Sequence, residues 1–159
     1  MNRFINLIQL YLRIAIGAGY FVFGLDRLGA WGPHGSKYAS WGDWAHFVAY
    51  SRKVMGFLPT SLADVLAAIA TGAEIIVGIL LIVGFLTRLA AWAGGILALL
   101  FAVSMAISFG IISPMSYSVF TLSAGCFLLA TVQYYQWSID SLIVSKMRKS
   151  EFAEGQLTA

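Results

Sequence analysis

Thr71 to Ala90 reads TGAEIIVGILLIVGFLTRLA, and after Glu74 no further charge occurs until Arg88. The run is apolar enough to enter a bilayer, where a charged side chain near the middle of a helix costs about 2.5–3.5 kcal/mol on insertion scales. A carboxylate held there needs a partner or a purpose. Ala70, Glu74 and Gly78 stand at i, i+4 and i+8, so they share one helix face with a small residue a turn to either side of the carboxylate. That face is predicted to look into a helix bundle. The run closes on Thr87 and Arg88, a connection so short that the helices on either side must pack antiparallel.

Composition widens this reading to the whole chain. The 159 residues are 60% hydrophobic and 11% charged, against about 45–50% and about 25% for a soluble globular protein. An all-α polytopic membrane protein is therefore predicted, a four-helix bundle with one domain over residues 1–145 and a polar cytoplasmic tail over 146–159. The four spans fall at about 4–25, 62–86, 89–112 and 114–136. The net charge of +3 is dispersed rather than run together, which reads as membrane topology and not as a nucleic-acid surface. Cys126 is the sole cysteine, which excludes an intramolecular disulfide, a C-x-x-C redox pair and a covalent haem site. His34 and His46 share one connecting segment, so no haem or metal site is predicted within the spans.

The first span is interrupted by Arg13. A secretory signal peptide is the rival reading, disfavoured because Arg13 breaks the apolar region and no small-residue cleavage site clearly follows. Ala15 and Gly19, four apart, are expected to let a neighbouring helix approach closely. The long connection from Gly29 to Thr60 opens as loop, GAWGPHGS. It then turns helical, with Trp44, Phe47, Val48, Met55 and Leu58 on one side and Ser51 interrupting the stripe. An amphipathic helix on the outer membrane surface or capping the bundle is predicted, with an enclosed soluble cap as the rival. Ser61 is the predicted N-cap of the second span, with Asp64 in capping-box position. In the third span, Ala90, Ala91, Gly94, Gly95 and Ala98 form a small-residue face, while Ser104 and Ser108 are expected to bond back to their own helix. Ser113 and Pro114 are read as N-cap and first position of the fourth span. Tyr134, Tyr135 and Trp137, with Trp92, suit an interfacial aromatic belt.

Lys and Arg counts set an orientation. Arg3, Arg88, Lys146, Arg148 and Lys149 fall to one side and Arg27, Lys37, Arg52 and Lys53 to the other, which predicts cytoplasmic termini. Counted from the inner face, Arg13 lies about 13 Å deep and Glu74 about 18 Å deep. An arginine side chain spans that difference, so an Arg13–Glu74 ion pair is expected. Its bland reading is a buried pair that sets helix register. Its functional reading is a pocket for a polar head group or for protons, in which the protonation state of Glu74 is the variable.

Two motifs resemble those of the DoxX family of small four-helix bacterial membrane proteins. The first comprises Arg13, Gly17, Phe21, Gly24 and Arg27, ending in GLDRL; the second comprises Glu74, Gly78, Leu81, Gly84, Thr87, Arg88 and Ala90. WSIDSL, with Ser138, Ile139 and Asp140, is similar to the family's Ser-Leu-Asp ending. The resemblance implies a four-helix bundle in the cytoplasmic membrane, and some relatives are linked to redox chemistry, such as thiosulfate:quinone oxidoreductase subunits and partners of detoxifying enzymes.

The expected function is an accessory or quinone-interacting component of a redox or stress-response system. Arg13 and Glu74 would form the polar centre of its pocket, and Arg27 and Arg88 would place charge at either mouth. Gly17, Gly24, Gly78 and Gly84 are assigned to helix packing. The chain carries no self-sufficient catalytic constellation, so catalysis would need a quinone or a redox partner subunit to carry electrons. A small transporter or lipid-binding protein, and a purely structural membrane subunit, are the alternatives. A homo-oligomer is compatible with all three.

Overall fold

The computed structural model describes residues 3–147; the expected tail beyond residue 147, with Arg148 and Lys149, lies outside the described residues. Six helices follow in order: α1 Arg3–Asp26, α2 Trp44–Val54, α3 Thr60–Val83, α4 Thr87–Phe109, α5 Ile112–Ser116 and α6 Val119–Ala130. A further helical run covers residues 139–147. Among the described residues there is no strand. The helices α1, α3 and α4 are each long and apolar enough to cross a membrane, and α6 is a shorter apolar helix.

The bundle is built from two close pairs, α1 on α3 and α4 on α6. Glycines make the first pair. A Cβ added to Gly17 would stand 3.0 Å from the Gly78 carbonyl oxygen, and one added to Gly78 would stand 2.9 Å from the Gly17 carbonyl oxygen. The two backbones therefore touch, as small residues permit in a membrane bundle. The second pair is bonded through carbonyls that glycines leave uncovered. Ser123 Oγ donates to the Gly95 carbonyl at 2.8 Å, and from α1 the Tyr20 hydroxyl donates to the Gly94 carbonyl at 2.6 Å. The expected small-residue face of the third span, Ala90 to Ala98, is buried throughout.

Several boundaries differ from the sequence reading. Thr60 opens α3 after Pro59, and Ser61 is not its cap. Asp64 accepts instead from Arg52 Nε and Nη2, both at 2.7 Å, a two-pronged clamp that fastens α2 to α3. The helix α2 caps one end of the bundle through buried Phe47 and Val54, and Ser51 fits within that face because its hydroxyl bonds back to the Phe47 carbonyl. Ser108 bonds not to its own helix but to the Val54 carbonyl at 2.7 Å, closing the C-terminal end of α2.

The fourth span is the largest departure. It divides at Ser118, whose φ is +54°, into α5 and α6, and the chain leaves regular structure over residues 131–138. At 1.5 Å per residue α6 reaches only about 18 Å, short of a hydrocarbon core of about 30 Å. Ile112 opens α5, so Ser113 and Pro114 are its second and third residues, where the missing proline N–H is still one of the helix's unpaired donors.

The tight turn between α3 and α4 is held from a distance. Gly84 ends α3 at φ +70°, and a Cβ there would collide with Arg13 Nη1 and with Ser138. Leu86 is held at φ +48°, an uncommon conformation for a branched residue. The Asp140 carboxylate accepts from the Leu86 and Thr87 amides, each at 2.9 Å, and the Asp140 amide donates to the Gly84 carbonyl at 2.9 Å. Asp140 thus caps α4 from 54 residues away, placing a carboxylate at the positive end of that helix.

Candidate functional site

Glu74 is paired with Arg27, not with Arg13: Arg27 Nη2 lies 2.7 Å from Glu74 Oε2. The expectation placed the ends of the first two spans flush at one membrane face. They are not flush. Contact between Gly17 and Gly78 sets an antiparallel register in which Arg13 stands beside Gly84 and Arg27 stands beside Thr71 and Glu74. Along a helix the two arginines are about 21 Å apart, so Arg13 is out of reach.

Arg13 is nevertheless among the most buried side chains, at 1% exposure. Its Nη2 donates to the Trp137 carbonyl at 2.7 Å, and one turn away Gln9 Nε2 donates to the Gln136 carbonyl at 3.1 Å. These donors hold the segment after α6 against α1, with Trp137 at φ +52°. Arg88 is exposed, and its Nη2 donates to the Val132 carbonyl at 3.2 Å. Neither residue lines the cavity described next, so Arg88 marks no mouth of it.

Arg27 follows α1 directly. Its Nη1 donates to Thr71 Oγ1 at 3.0 Å, and its guanidinium carbon sits 4.0 Å from the centre of the Phe47 ring. Thr71 in turn donates to the Ala67 carbonyl at 2.9 Å, which fixes its lone pair toward the arginine. The ion pair, the hydrogen bond and the ring face together account for an arginine only 7% exposed. Its Nε has no hydrogen-bond partner among the described residues. Next to it, Asp26 Oδ2 accepts from the Ser40 and Trp41 amides at 2.9 and 2.8 Å. That bond draws the long loop back over the end of α1 and places the Trp41 ring beside Phe47 and Tyr50, 5.6 and 4.8 Å between centres.

Beneath this aromatic roof lies a cavity of about 540 Å³. Arg27 and Glu74 supply charge to its wall, and Trp41, Phe47 and Tyr50 close its top. Ile16 and Tyr20 of α1 and Leu97, Ala98, Phe101 and Met105 of α4 line its body. Tyr117, Val119 and Leu122 form the α5–α6 side. A mostly apolar, aromatic-lined space of this size with a few convergent polar groups has the character of a small-molecule site. No group of three or more His, Cys, Asp or Glu side chains suited to a metal ion occurs among the described residues.

The cavity residues other than Glu74 and Arg27 were not singled out from the sequence as a site. Thr71, which holds Arg27 but does not itself line the cavity, carried the clearest signal, being three residues before Glu74 and so on its face. Asp26 stood within GLDRL, but its role depends on a loop that returns fourteen residues later.

A helical bundle with three spanning-length apolar helices and an ion pair buried at the wall of an internal cavity defines an integral membrane protein with a ligand-sized site. A family model described as DoxX matches residues 8–107, and the chain belongs to the DoxX family. No curated protein and no solved structure matches the chain. The matched region runs from α1 through most of α4, so it contains both arms of the ion pair and both glycines of the α1–α3 contact; the WSIDSL segment lies beyond it.

Proposed function

We propose that the cavity receives the head group of a membrane quinone, and that the protein is an accessory, quinone-binding component of a redox or stress-response system. The observation that carries this reading is the placing of one charged pole, Arg27–Glu74, in an otherwise apolar and aromatic chamber. A quinone ring presents two flat faces that pack on aromatic walls and two carbonyl oxygens that accept hydrogen bonds, and the chamber is lined by aromatic rings and by the Arg27 side chain, a hydrogen-bond donor. Electron transfer then falls to the quinone and to a partner enzyme, since the chain's own residues supply binding and orientation.

Titration of a tail-less benzoquinone into the purified protein in lipid nanodiscs, read by tryptophan fluorescence, tests the reading. Saturable quenching is expected, most of it lost in Trp41→Phe and weakened at least tenfold in Glu74→Gln. Saturable quenching that Trp41→Phe leaves intact would place the quinone elsewhere. Unaltered binding in Glu74→Gln with reduced stability would make the pair structural.

We further infer a cytoplasmic-membrane location with both termini cytoplasmic, which puts the cavity and its α2 cap at the outer end. The distribution of Lys and Arg supports this orientation. A reporter fused after Ala159 should be active only on the cytoplasmic side.

A further inference from the structure

Ala15 and Gly19 lie at i and i+4 on α1, a small-residue stripe of the kind that packs helices, and Phe23 continues the same face at i+8. The stripe packs none. A Cβ added to Gly19 would meet nothing within 4 Å, whereas Gly17 and Gly24, on the adjoining face, are pressed against α3. Ala15, Gly19 and Phe23 all line the cavity instead. Ala15 and Phe23 are also exposed, as is Tyr117 at 73% on the facing side. Lower down, α1 and α6 do meet: a Cβ on Gly125 would lie 3.6 Å from Ile16 Cδ1 and 3.8 Å from Leu12 Cδ1. Above that contact the two sides part, and the cavity reaches the outside through the wall of the bundle. On a membrane-spanning helix that outside is hydrocarbon.

We propose that this side gap between α1 and the α5–α6 elbow is the passage for the ligand, and that an occupant's hydrocarbon tail rests in it against Ala15 and Gly19 while its head lies at Arg27–Glu74. The site is then selective for long-tailed, membrane-resident molecules over their water-soluble analogues. The proposal rests on the head-group reading of the cavity but is tested apart from it. A Cβ at position 19 meets nothing within 4 Å, and leucine there replaces a glycine inside a helix, so Gly19→Leu is expected to fold.

The experiment compares a tail-less benzoquinone with its decyl-tailed analogue, bound to wild type and to Gly19→Leu in detergent. The decyl compound is expected to bind wild type at least tenfold more tightly than the tail-less one, and Gly19→Leu to cut that ratio below threefold. An advantage that survives in Gly19→Leu, or equal losses for both compounds, overturns the proposal. If neither quinone binds wild type, the quinone reading fails, and native mass spectrometry from mild detergent decides the gap by itself. A long-chain amphipath retained by wild type and lost from Gly19→Leu upholds the gap. Equal retention, or none by wild type, overturns it.

Discussion

The partner of Glu74 can be settled by a pair of double-mutant cycles. In the structure Arg27 is the partner, at 2.7 Å, and Arg13 donates to the Trp137 carbonyl. Removing one member of a buried ion pair strands the other, at a cost of about 3–5 kcal/mol. Arg27→Leu leaves Glu74 without its cation, so a loss near the top of that range is expected. Glu74→Leu leaves Arg27 its bond to Thr71 and its contact with the Phe47 ring, which places its loss near the bottom. The double variant removes both charges, so it should be about 2–3 kcal/mol more stable than the sum of the single losses predicts. Arg13→Leu also destabilises, but with Glu74→Leu its effect should add within about 0.5 kcal/mol, because the two share no partner. Unfolding in mixed lipid–detergent micelles by increasing the fraction of dodecyl sulfate measures each term. Coupling in the Arg13 cycle with additivity in the Arg27 cycle would refute the α1–α3 register that the Gly17–Gly78 contact sets.

Further outcomes follow from individual contacts. Gly84→Ala forces a Cβ into Arg13 and Ser138 at φ +70°, so it should lose more than about 1 kcal/mol, whereas Gly19→Ala should be neutral or gain about 0.5–1 kcal/mol in the same unfolding measurement. Asp140→Ala withdraws the carboxylate that caps α4 and should cost about 1–2 kcal/mol, with faster amide exchange at Leu86 and Thr87. Asp43 caps α2 through the His46 amide and ring, and those bonds hold its carboxyl below the usual carboxylate range. The sign follows from that depression: its contribution is complete above the unfolded carboxyl value of about 3.9 and is lost as pH falls through the lower folded value. Amide exchange at His46 should therefore accelerate only in strong acid, and Asp43→Asn should flatten the profile.

Much of the fold was legible in the sequence because hydropathy and helical spacing report local preferences. Membrane class, all-helical architecture, a tight antiparallel connection after the second span and the inward face of Glu74 all follow from residues within a few turns of one another, although Gly84 to Leu86 make that connection and Thr87 and Arg88 instead open α4. The amphipathic character of α2 was legible in the spacing of Phe47 and its neighbours, but the choice between lying on the membrane surface and capping the bundle was not. The fourth span misled because its composition is apolar throughout. What divides it is the conformation at Ser118, and what ends it early is the pull of Gln9 and Arg13 on carbonyls at Gln136 and Trp137, more than 120 residues away.

The sequence alone determined that Glu74 is a buried carboxylate in need of a cation, since no apolar span holds a charge without compensation. It did not determine which cation, because depth counted from helix ends assumes that the ends are level. Backbone contact at Gly17 and Gly78 slides α1 along α3 and brings Arg27 to Glu74, leaving Arg13 to bind the far end of the chain. The same tertiary placement turned Ala15 and Gly19 from a packing stripe into the side of an opening. Identical residues mark either role, and only the neighbour that is present or missing across the gap decides between them.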